Sequence, residues 1–164
     1  MQESDQNAVN KYVKALQTAG FVVSRRWVIL TSAVDIPEVS TPKSLISMHT
    51  SWQVDINASE WELRLHTDGA LVGECQAWGI PQHFSDCEGY TDWVTVEWLG
   101  VEPAYQRKGI GSWLIAKQFR KQAQRGVTRV IIWTETDNQP LLGLGEFLGF
   151  QSGPECWEFQ KVIG

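Results

Sequence analysis

One stretch limits the fold of this chain more than any other: Val101-Glu102-Pro103-Ala104-Tyr105-Gln106-Arg107-Lys108-Gly109-Ile110-Gly111-Ser112. A strand-like run, Trp93 to Val101, leads into it, and a helix-like run from Ser112 to about Gln124 leads out. Two glycines, one residue apart, stand at the mouth of the helix. Such a turn leaves several backbone N–H groups unpaired beside the positive end of the helix dipole. The expected result is an anion site suited to a phosphate or pyrophosphate. Glycine is required there because a side chain would block the anion, or because the backbone must take φ > 0.

Two common phosphate-binding patterns do not fit. A P-loop ends in Gly-Lys-Ser/Thr, whereas this turn ends in Gly111-Ser112-Trp113. A dinucleotide fingerprint needs a third glycine where Leu114 stands. The string that fits is Gln-x-x-Gly-x-Gly after a strand and a Val-x-Pro. Gln106, Gly109 and Gly111 hold its defining positions, and Arg107 and Lys108 add positive charge. In this the chain resembles the acetyl-CoA-binding motif of the GNAT superfamily of N-acetyltransferases.

The 164 residues suit one sizeable core. A formal charge of −5 argues against non-specific nucleic-acid binding and fits a cationic substrate. Cys75, Cys87 and Cys156 are odd in number and have no metal-ligand spacing. With no signal peptide, the expectation is a cytoplasmic protein with reduced thiols, no metal and no membrane span. Most of the nine tryptophans are expected in the core or in a pocket wall.

Taken in order, Asn7 to about Ala19 reads as a helix closed by Gly20, and Phe21 to Leu30 as a strand with a solvated Arg25-Arg26 pair. Val34 to Ser59 is poorly patterned. Pro42 to Met48 is expected as a short helix capped by Thr41. His49 is expected at the surface and Trp52 packed. Trp61 to Thr67 alternates as a half-buried strand, Asp68-Gly69 marks a hairpin, and Ala70 to Trp78 returns. Gly79 to Asp92 reads as a long loop. On the central strand, strict alternation puts Val94, Val96 and Trp98 on one face, and Thr95, Glu97, Leu99 and Val101 on the other. The helix after Gly111 buries Leu114, Ile115, Phe119 and Ala123. Val127 to Trp133, a helix from Asp137-Asn138, and Trp157 to Ile163 complete an α/β chain with a mixed sheet. The order matches the GNAT-like fold from Trp61 onward, a mixed β-sheet flanked by helices.

The resemblance implies acetyl transfer from acetyl-CoA to a primary amine by direct attack in a ternary complex. It places the pyrophosphate on the backbone of Arg107, Lys108, Gly109, Ile110 and Gly111 with the Ser112 hydroxyl. It places the pantetheine arm along the backbone of Leu99 and Val101, with a backbone N–H near Leu99 meeting the developing oxyanion. Asn138 corresponds to an asparagine that contacts the pantetheine, and is equally suited to cap its helix. Glu97 is the candidate general base, with Asp86, Asp92 and His83 as weaker alternatives. Many family members carry a general-acid tyrosine where this chain has Gly145. That departure keeps a second reading open: a non-catalytic acyl-CoA-binding domain, acting as a sensor or as one half of a tandem enzyme.

The chain also resembles itself. Asn10 to Gly20-Phe21 and then Trp27 parallels Asn138 to Gly149-Phe150 and then Trp157. Residues 1–33 therefore read as a helix–strand unit like the tail of a GNAT domain, and residues 34–164 as the acetyltransferase domain. The unit's apolar residues are expected to pack on the main domain, with its strand at a sheet edge. Exchange of this unit between chains would give a homodimer.

Overall fold

The computed structural model describes residues 3–55, 60–80 and 88–161. Helix α1, Glu3–Thr18, leads through Gly20 (φ +83°) into β1, Phe21–Ala33. Then come β2, His49–Asp55; β3, Glu60–Thr67; β4, Ala70–Gly79; and β5, Trp93–Val101. Helix α2, Ile110–Ala123, connects β5 to β6, Arg129–Glu135; helix α3, Gln139–Phe147, connects β6 to β7, Gln151–Lys161. One seven-stranded sheet results, in the order β2-β3-β4-β5-β6-β1-β7. Its class is α+β with a mixed sheet, because β5 and β6 pair in parallel while the other neighbours are antiparallel.

Local sequence accounts for much of this. Asp68 and Gly69 both have positive φ, 47° and 79°, which a two-residue hairpin requires to match strand twist. Leu63 and Leu65 alternate inward on β3 and are 1% and 0% exposed. Helix α2 buries Ile110, Leu114, Ile115 and Phe119 against the same face of the sheet, where Cys75, Val94 and Val96 are also buried. Helix α3 joins that layer at Leu144 and at Gly145, whose close approach to Leu30 ties it to β1.

Several expectations change. β1 is not at a sheet edge; it lies between β6 and β7 and pairs antiparallel with both. Its Val28 and Leu30, 7% and 3% exposed, belong to the central core. The stretch before Ser59 contains a full strand, β2, registered from His49↔His66 to Asp55↔Glu60. Only Trp52 and Val54 carry its apolar signal, too few to show a period. Pro42 to Met48 forms just a 3-10 turn at Lys43–Leu45; Pro42 holds the N-cap position with no side-chain cap, so Thr41 does not serve. β7 starts six residues earlier than the pattern indicates, at Gln151 rather than Trp157. Gly153 and Pro154 hide it, and an edge strand tolerates both. His49 is exposed and Trp52 packs against the core, as expected.

Candidate functional site

The sheet opens at one place. β5 and β6 pair from Trp93↔Arg129 to Val96↔Ile132, and the pairing then stops. Beyond it the two strands diverge around a cleft of about 400 Å³. The opening coincides with a β-bulge. On the other side of β5, Ala77 opposes Val96 and Gln76 opposes Trp98, which leaves Glu97 as the extra residue. A bulge bends its strand and re-aims side chains. It also breaks the strict alternation expected for β5: Val96 and Trp98 lie on opposite faces, not one. Leu99 opposes Cys75, which is buried beneath α2, so Leu99 faces the helices. Trp98 faces away and is 54% exposed. Glu97 and Leu99 both line the cleft, and Glu97 makes no ion pair among the described residues.

The glycine turn closes one end of this region. Arg107 and Gly109 both take the left-handed conformation, with φ of 60° and 77°. Gly109 is the N-cap of α2 and no side chain caps the helix. Among the described residues, no acceptor meets the backbone N–H groups of Arg107, Lys108, Gly109, Ile110, Gly111 or Ser112. The turn therefore presents a row of N–H donors at the positive end of a helix. Its side chains are mostly engaged internally. Gln106 Nε2 donates to the Val101 carbonyl at 2.8 Å, fixing the turn to the end of β5. Lys108 Nζ donates to the Ala104 carbonyl at 2.8 Å and lies over the Tyr105 ring. The Ser112 hydroxyl donates to the Gly109 carbonyl at 2.9 Å, so its proton is already committed. The donors left open at the turn are therefore backbone N–H groups, while the Ser112 and Gln106 side chains are engaged internally.

Asn138 caps α3, its Oδ1 accepting from the Leu141 N–H at 3.3 Å, and it lines the cleft as well. One side-chain oxygen serves the helix while the amide N–H₂ has no partner among the described residues. Thr134, 2% exposed, lines the same cleft with a hydroxyl that has no partner among the described residues. Sequence reasoning missed Thr134, along with Trp27, Trp133 and Glu135, which also line the cleft. Their positions follow from β1 sitting beside β6, which no local pattern reveals. Gly145 does not face open space. A Cβ there would stand 2.8 Å from Leu30 Cδ1, so β1 occupies the room a side chain would need.

Asp92 sits before β5, at the end opposite the cleft, where its backbone and side chain both accept hydrogen bonds from Thr128. It is not placed to act as a base. Asp86 and His83 lie outside the described residues. A larger cleft, about 780 Å³, lies on the outer side of α2. Its cations already have partners: Arg120 pairs with Glu38 at 3.4 Å, and Lys117 and Lys121 each lie 4.7 Å from a tryptophan ring centroid. Size alone does not make it the site, because the unpaired N–H groups and the strand opening are elsewhere.

A row of helix-end donors thus stands beside a splayed pair of parallel strands. Residues 37–150 match the acetyltransferase (GNAT) family, and the chain belongs to that family. Its fold is similar to that of a GCN5-related N-acetyltransferase from Kribbella flavida, with a TM-score of 0.66 and 13% identity over 92% of this chain and 63% of that one. A GCN5-related N-acetyltransferase from Sphaerobacter thermophilus gives a TM-score of 0.68 and 12% identity over 90% and 55%. A mycothiol acetyltransferase from Nocardioides sp. is 36% identical over 52 residues, 32% of this chain and 18% of that protein. The chain thus spans less than two-thirds of the length of each of these proteins.

Proposed function

We propose that this protein is an acetyl-CoA-dependent N-acetyltransferase acting on a primary amine. The observation that carries this reading is the juxtaposition of the unpaired N–H groups of residues 107–112 with the β5–β6 cleft. The residues present fit acetyl-CoA. The turn offers donors to a pyrophosphate, and the buried, unpartnered Thr134 hydroxyl and the Asn138 amide offer donors to an amide-bearing arm. When bound, acetyl-CoA supplies an acetyl thioester with a carbonyl carbon open to a neutral amine.

The chain's own groups have four tasks. The backbone of Arg107 to Gly111 holds the diphosphate. The β6-facing backbone of β5 beyond Val96, which has lost its strand partner, aligns the arm at Leu99. At Val101 the carbonyl is taken by Gln106, so that residue contributes through packing and its remaining backbone group. A backbone N–H near Leu99 donates to the carbonyl oxygen as charge develops, worth about 3 kcal/mol in comparable sites. Glu97 accepts a proton from the incoming ammonium, leaving the nitrogen lone pair free to attack the carbonyl carbon. As the C–N bond forms and the C–S bond breaks, CoA departs as a thiolate and water receives the second nitrogen proton. No protein acid is needed, since a thiolate is a fair leaving group.

The Leu30 contact at Gly145 favours a second reading, a non-catalytic acyl-CoA-binding domain. Thiol release from acetyl-CoA across a panel of amines separates the two. For the enzyme reading, Glu97→Gln lowers the rate by about 10²–10⁴ at neutral pH while CoA affinity changes little. The deficit shrinks as pH rises, because the free amine becomes abundant. An unchanged rate in Glu97→Gln removes Glu97 from its role. Absence of thiol release with any amine, with CoA still bound, selects the carrier reading.

A further inference from the structure

We infer that the acceptor is a polycationic amine carrying no acidic group, held on the side of the β5–β6 cleft away from α2 and α3 by tryptophans and two carboxylates. This inference rests on the acetyltransferase reading and names its substrate class. On β6, Ile132 and Thr134 are buried toward the helices, so Trp133 and Glu135 face the other way. Trp27 opposes Glu135 across the β1–β6 pair and shares that face. Trp98 reaches the same face from β5, as its pairing with Gln76 shows. All four residues line the cleft, together with Glu97.

The indoles are open to a ligand. Trp98 and Trp133 are 54% and 43% exposed, and among the described residues neither stacks on another ring. Large exposed indoles at the mouth of a cleft otherwise carry a solvation cost with no return. Trp98 is held in place: a Cβ on Gly100 would stand 2.8 Å from its Nε1, so the ring lies against the Gly100 backbone. Indole faces attract ammonium groups, and carboxylates beside them add to that attraction. Among the described residues, no lysine, arginine or histidine lines the cleft. An acceptor carboxylate would meet two carboxylates, and the neighbouring cation, Arg25, is already paired with one of them, Glu135.

The protein's own cation marks the pattern. Arg25, just outside the cleft, lies 5.9 Å from the Trp27 ring centroid with its Nε 3.7 Å from Glu135. Its side chain is 55% exposed and that of Glu135 is 41% exposed, so solvent screens the pair and a second ammonium can displace it. Glu97 lies one residue beyond the last β5–β6 pair and Glu135 three residues beyond it. That offset of two residues staggers the two backbone positions by about 7 Å along the strand direction, room for two ammonium groups on one aliphatic chain.

The test compares thiol release with 1,4-diaminobutane, n-butylamine and ornithine. Butylamine lacks the second ammonium; ornithine adds a carboxylate to the diamine. The expected kcat/KM for the diamine exceeds both others by at least about tenfold. Arg25→Ala widens the margin over butylamine, and Glu135→Gln narrows it to about threefold or less. Ornithine or butylamine matching the diamine would overturn the inference, as would a margin that ignores both variants. If no amine releases thiol while acetyl-CoA still raises the melting temperature, the enzyme reading fails by itself. Calorimetric titration of the CoA-loaded protein with spermidine then decides the cation site. Binding weakened by Glu135→Gln supports it, and no binding refutes it.

Discussion

Gly109 and Gly111 look alike in sequence, and both invite the same substitution. The structure separates them. Gly109 has φ +77°, and a Cβ there meets only Pro42 Cγ, at an ordinary 3.6 Å. Gly109→Ala therefore costs backbone strain and no clash, about 1–2 kcal/mol for a residue in the left-handed region. Gly111 lies inside α2, with a Cβ 3.9–4.0 Å from Leu99, Leu144 and Val101 side chains. Gly111→Ala has room, and replacing a helical glycine returns about 0.5–1 kcal/mol. In a domain of this size each kcal/mol moves Tm by about 2–4 °C. Gly109→Ala should melt about 2–8 °C lower and Gly111→Ala about 1–4 °C higher. Thermal melts monitored by circular dichroism give both values, and calorimetric titration gives CoA affinity. Gly109→Ala should also weaken CoA binding by about tenfold or more, because the strain is relieved by turning the donor row away from the anion. If Gly109→Ala melts no lower than Gly111→Ala, the conformational argument is wrong. If CoA affinity survives Gly109→Ala, the turn is not the phosphate site.

Three further outcomes follow from the packing. Gly145→Ala places a Cβ 2.8 Å from Leu30 Cδ1 and should destabilise by about 1–3 kcal/mol despite the helix propensity of alanine. Adding Leu30→Ala should make the Gly145→Ala step cost less than it does alone, and a double-mutant cycle showing no coupling would refute that contact. Deleting residues 1–33 removes Val28 and Leu30 from the core, roughly 3–6 kcal/mol of burial, leaves β7 without a partner and opens one edge of β6. The product should be insoluble or aggregated, and a soluble monomer with an unchanged melt would show the segment to be dispensable. Cys75 is wholly buried, and desolvation, with Glu74 adding a smaller contribution, pushes its thiol far up. It stays protonated at neutral and mildly alkaline pH. Alkylation of the native protein followed by mass spectrometry should leave Cys75 unlabelled while the half-buried Cys156 reacts.

The turn, the hairpin and α2 were legible in the chain because each is a local problem. Asp68-Gly69 supplies the two positive φ values, and Gly109 supplies the left-handed N-cap. Leu114, Ile115 and Phe119 supply a stripe that only a buried helix face satisfies. The rest was set by partners distant in sequence. Nothing within Phe21–Ala33 says that it inserts between β6 and β7, since both edges of a strand carry the same backbone groups. Once inserted, β1 brings Trp27 to the cleft and Leu30 against Gly145. The bulge at Glu97 likewise belongs to the pairing of two strands rather than to either one, and it reversed the face expected for Trp98. Short-range chemistry thus determined where unpaired backbone donors gather. Long-range pairing decided which side chains surround the cleft, because register and strand order depend on total burial rather than on any local sequence pattern.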